Sequence, residues 1–151
     1  QDIDEECTTV IDLCAANGRM RKYLKDTVQY FPVDYIRYGE DTIVYDLNKD
    51  AFPNFQNDPK KTTVLLIASI QFANNWKGLL KEITSVCDTF ICANNEFISV
   101  NRDYRREHFC WNRVVFNTDI IMEMQKLGFV LSDAYDYRLR VCVMKFRRAD
   151  I

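Results

Sequence analysis

The chain is poor in structure-breaking residues, with four glycines and three prolines in 151 positions. That composition excludes collagen-like repeats and Pro/Gly-rich low-complexity linkers. One histidine, His108, leaves no multi-histidine metal centre to build. The longest apolar run, "VLLIASI" at 64–70, is far too short to span a bilayer. Neither sign of charge dominates: 20 basic and 22 acidic side chains give a net charge of −2. There is therefore no global basic field of the kind that marks a nucleic-acid binder. No signal-peptide pattern is read. The expectation is no membrane, no nucleic acid and a cytoplasmic location. The first residue is Gln1, which suggests a chain trimmed or cut from a larger one.

What is present is ordinary for a globular domain: 48% hydrophobic and 28% charged residues. A single domain over 1–151, with an acidic lead-in at 1–6, is the natural reading. Six cysteines occur, most in or beside predicted strands, where a reduced thiol acts as a small hydrophobe. Cys87, Cys92, His108 and Cys110 do not have zinc-ligand spacing, so no metal is expected.

The pattern alternates. "CTTVIDL" reads as a buried strand and "GRMRKYLKD" as a basic amphipathic helix. "VQYFPVDYI" and "DTIVYDL" read as strands, with Pro32 an oddity in the first. "KTTVLLIASI" suits a central parallel strand, "NWKGLLKEITSV" a helix and "CDTFICAN" another strand. "NTDIIMEMQKLGF" starts at Asn117 or Thr118 and stops at Gly128, and two strands follow. The order predicts an α/β fold: a doubly wound, mostly parallel sheet with helices on both faces and an antiparallel C-terminal strand.

In such a sheet, ligands bind beyond the carboxyl ends of the strands. The turn Cys14-Ala15-Ala16-Asn17-Gly18 follows the first strand, and its small residues let a ligand approach the backbone. Asp12 at that strand's end can accept hydrogen bonds. Asp34 ends the second strand, where an acid holds ribose hydroxyls, and Asp46 ends the third, where an adenine amino group is read. Each alone is more often a cap or turn residue.

These segments, taken in order, resemble class I S-adenosylmethionine-dependent methyltransferases of the small single-domain type. "VIDLCAANGRMRKYL" is similar to the family's first motif, "FPVDYI" to its ribose-acid motif and "IVYDLNKDAFP" to its third-strand motif. "TTVLLIASIQFANNWKGLLKEI" is similar to its fourth strand and following helix, and "FCWNRVVFNTDIIMEMQKLGF" to the run into its last helix. The chain departs where Cys14 and Ala16 stand for glycines and in its short crossovers. The resemblance implies S-adenosylmethionine bound by Asp12, Cys14, Ala16, Gly18, Asp34, Asp46, Ser69 and Gln71. It implies methyl transfer to a small-molecule acceptor, a sugar or other metabolite. His108 is the first candidate base and Tyr104 a weaker one. The arginines at 102, 105, 106 and 113 suit an anionic acceptor. Two alternatives stay open: a degenerate, non-catalytic domain of the same fold used for binding or scaffolding, and a dinucleotide oxidoreductase.

Overall fold

The computed structural model describes residues 3–95, 114–137 and 141–150. Seven strands form one sheet in the order β3-β2-β1-β4-β5-β7-β6. They are β1 (Thr9–Leu13), β2 (Gln29–Asp34), β3 (Ile43–Val44), β4 (Thr62–Ile67), β5 (Thr89–Asn95), β6 (Phe129–Tyr137) and β7 (Val141–Arg148). β1 to β5 are parallel, while β7 runs antiparallel to both β5 and β6. The strand order reverses between β1 and β4, so the carboxyl ends of these two strands flank the crevice where ligands bind. β3 pairs β2 only at Val33 and Asp34, so Pro32 sits where β2 has no outer neighbour and its missing N–H disrupts no ladder there.

Two α-helices, α1 (Trp76–Val86) and α2 (Asn117–Lys126), pack on one face. Leu79, Leu80 and Ile83 of α1 and Ile120 and Met124 of α2 meet Ile11, Leu13, Val64, Leu66, Phe90, Cys92, Met144 and Phe146 of the sheet. α1 begins where the Asn75 side chain accepts from Gly78 N at 3.1 Å. A Cβ at Gly78 would collide with that cap at 2.4 Å, which accounts for the glycine. α2 stops at Gly128, whose φ of 80° places it in the left-handed region. Between β3 and β4, Tyr45, Phe52 and Phe55 take the place of a crossover helix and pack with Phe31 of β2, with ring centroids 5.6–5.9 Å apart.

The other face differs from expectation. The segment expected as a helix at 18–26 forms only a 3-10 turn, Arg19–Tyr23. No side chain caps its start and no acid lies in its first turn, while Arg21 and Lys22 fall in its last turn, so the helix has little to start it and its charges suit an early end. Met20, Leu24 and Val28 still reach the sheet beside Val10, Tyr30, Leu65 and Ile91. An apolar cleft of about 820 Å³ lies over this face, with Leu65, Ile91 and Val143 in its lining. Among the described residues, both α-helices therefore lie on one face. None of the described helices is long and apolar enough to cross a membrane.

Candidate functional site

The turn after β1 is the most distinctive piece of backbone. Cys14, Ala16 and Gly18 have φ of 61°, 48° and 65°. Three alternate residues thus occupy the left-handed region, which costs a residue with a Cβ about 1–2 kcal/mol. The chain keeps the shape of a glycine-rich turn at two positions without glycine. Asp34 fixes that shape from β2: its Oδ2 accepts from Ala16 N at 2.8 Å and its Oδ1 from Ile36 N at 3.2 Å. A carboxylate offers about four lone-pair positions, so each oxygen keeps one for a ligand hydroxyl.

Asp12 is buried beside the turn and accepts from the Tyr30 hydroxyl at 2.6 Å. Burial pushes its carboxyl up to about 6; the Tyr30 hydrogen bond opposes this and the charge of Asp34 adds to it. Tyr30, deprived of water and facing Asp12, is raised above the usual phenol range. Its ring also carries the Arg21 guanidinium, 5.0 Å from the centroid. Cys14 is half-buried, and burial pushes its thiol up to about 11 against a hydrogen bond with Ser69. The thiol is protonated at neutral pH and is no ready nucleophile.

Ser69 and Gln71 follow β4, after Ala68 at φ 54°. Ser69 is buried and its hydroxyl donates to Ile67 O at 2.8 Å. Gln71 donates through Nε2 to Asn94 Oδ1 near the end of β5. Asn94 in turn donates to Val115 O at 2.9 Å and to Asn117 Oδ1 at 2.8 Å. Asp46 stands apart on its loop, where it accepts from Asn48 N at 2.9 Å and pairs with Lys49 at 3.0 Å. These contacts hold its carboxyl below the usual range. Asn48 ties this loop to the next, donating to Phe72 O and accepting from Asn74 N.

Asp12, Cys14, Asp34 and Ser69 are thus close enough to interact electrostatically or by hydrogen bonds. His108, Tyr104 and the four arginines between 102 and 113 lie outside the described residues. Sequence reasoning missed Tyr30, Asn94 and Asn117. Tyr30 was legible in outline, since it shares a sheet face with Asp12 once the β1–β2 register is known. The doubled asparagine ending a buried strand was the only signal for Asn94.

No family model matches the chain, and no curated protein matches it in sequence. Solved structures do match. A SAM dependent methyltransferase from Aquifex aeolicus superposes with a TM-score of 0.65 at 12% identity, over 96% of this chain and 83% of that one. The [4+2]-cyclase SpnF gives 0.69 at 9% identity, over 94% and 74%. OxaC, solved with sinefungin and meleagrin, gives 0.66 at 10% identity, over 99% and 45%. The chain spans about half the length of several such structures.

Proposed function

We propose that this chain, which has the class I S-adenosylmethionine-dependent methyltransferase fold, binds S-adenosylmethionine and transfers its methyl group to a small-molecule acceptor. The observation that carries the proposal is the turn itself, a triple left-handed backbone clamped by Asp34 with lone pairs to spare. An isolated structural turn has no use for two strained non-glycine residues, and such strain gathers at ligand sites.

The residues fit the cofactor. Asp34 would hold the ribose hydroxyls, the backbone of Cys14 to Gly18 would lie along the nucleoside, and Asp46 would read the base. Ser69 and Gln71 would line the amino-acid end. When bound, the cofactor supplies a methyl already activated on a sulfonium. What remains for the protein is orientation and exclusion of water. Asp12 bonded to Tyr30 fixes the floor under the turn. The amide chain from Gln71 to Asn117 fixes the wall after β4.

A second reading, a non-catalytic binding or scaffolding module, is favoured by the Cys14 and Ala16 side chains on a turn that a ligand must approach closely. Calorimetry separates the outcomes. Folded wild-type protein is expected to bind S-adenosylhomocysteine, and Asp34→Ala to weaken it tenfold or more. Absence of heat with both S-adenosylmethionine and S-adenosylhomocysteine would remove the cofactor reading. Transfer of labelled methyl to any acceptor would remove the scaffold reading.

A further inference from the structure

Parallel strands are apolar on both sides, so folds built on them cover both faces of the sheet. Here both α-helices among the described residues lie on one face, and the other carries the apolar cleft of about 820 Å³. The strand register sets its floor. Leu65 lies beside Ile91, and two residues on, Ile67, Ala93, Val143 and Tyr135 form a row across β4, β5, β7 and β6. Ala93 is the small member of that row and leaves a hole between Ile67 and Val143. Met20 and Leu24 stand along one side. Ile67 is 43% and Tyr23 71% exposed, so large apolar side chains that line the cleft still face water.

The dimensions are those of one helix. β4 and β7 flank β5, which sets them about 10 Å apart, and an α-helix is about 10 Å across. The six residues of β4 run about 20 Å, the length of about 13 helical residues. A leucine on such a helix would fill the hole at Ala93 at the density of a protein interior.

The charges give it a direction. Ile67, Ala93 and Val141 line the end of the cleft at the carboxyl ends of the parallel strands, and Asp4, Glu5 and Lys25 line the opposite end. Asp4 is engaged by Lys145 and Arg147, whereas Glu5 is exposed. A helix antiparallel to β4 and β5 brings its C-terminus to these charges. Its last carbonyls suit Lys25, and basic side chains in its last turn suit both Glu5 and the helix's own dipole. We propose that the cleft is the seat of an amphipathic α-helix of a partner protein, about 13 residues long, apolar toward the sheet and basic in its last turn. None of the residues assigned to the cofactor lines this cleft, so the proposal is independent of the cofactor reading.

The probe is a synthetic helical peptide of about 16 residues with leucine at every third or fourth position and two arginines in its last turn. Its control has the same composition with the leucines scattered around the helix. Calorimetry on the full chain is expected to show saturable binding of the patterned peptide, about tenfold or more tighter than the control. Ile67→Glu should weaken it about tenfold, by setting a charge in the apolar floor. Glu5→Lys should weaken it about two- to fivefold at low salt and leave it unchanged at high salt. No binding, equal binding of the control, or full binding by Ile67→Glu overturns the proposal, and full binding by Glu5→Lys at low salt overturns the basic turn assigned to the helix. Sedimentation supplies a further check: a dimer of the wild type that Ile67→Glu dissolves would give the cleft to a second copy and overturn the partner helix. Thermal melting shows whether Ile67→Glu folds. If it does not, Tyr23→Glu, on the exposed 3-10 turn, is measured by the same criteria.

Discussion

Replacing Ala16 by glycine isolates the strain in the turn. Ala16 has φ of 48° and an exposed side chain, so the methyl contributes no packing that the substitution would lose. Its N–H bond to Asp34 is made by the backbone and survives. Relief of the left-handed conformation is worth about 1–2 kcal/mol. The more flexible unfolded chain takes back roughly 0.5–1 kcal/mol. Ala16→Gly should therefore stabilise by about 0.5–1 kcal/mol, raising Tm by about 2–4 °C per kcal/mol in a chain of this size. Urea unfolding should show a higher midpoint with an unchanged slope. Ala15→Gly is the control. Ala15 is not in the left-handed region, so glycine there should destabilise by roughly 0.5–1 kcal/mol. If both glycines destabilise alike, the turn is not strained as described, and the argument that strain marks a ligand site goes with it.

The same conformational cost should appear with opposite sign at Gly128. Its φ is 80° and a Cβ there meets nothing within 4 Å, so Gly128→Ala should cost roughly 1 kcal/mol by backbone strain alone; a neutral result in urea would contradict this. Asp12 predicts a pH dependence. Its folded value of about 6 lies above its ordinary 3.8, so the protonated carboxyl favours the fold. That contribution is fully present below pH 3.8 and is lost as pH rises through 6. The gap corresponds to roughly 3 kcal/mol. Asp12→Asn, which still accepts from Tyr30, should flatten the stability profile between pH 4 and 6; an unchanged slope would show that other groups dominate that window.

The chain determined by itself most of the strand positions, the mostly parallel character of the sheet and the place of the turn. These follow from local pattern: apolar runs of strand length, acids at their ends and the Gly128 stop are written in neighbouring residues. The sequence also carried the departure from glycine at Cys14 and Ala16, but not its consequence. Only the tertiary structure decided that these two residues hold the left-handed shape, because that shape is fixed by Asp34, which approaches Ala16 N from another strand. It likewise decided that the basic stretch at 18–26 stops at one 3-10 turn, that an aromatic cluster replaces a helix after β3, and that Gln71 Oε1 has no hydrogen-bond partner among the described residues. The Asp34 bond to Ala16 and the Gln71 bond to Asn94 join residues 18 and 23 apart in the chain. Periodicity reports which face a residue takes, whereas hydrogen-bond satisfaction is settled only when distant segments are brought together.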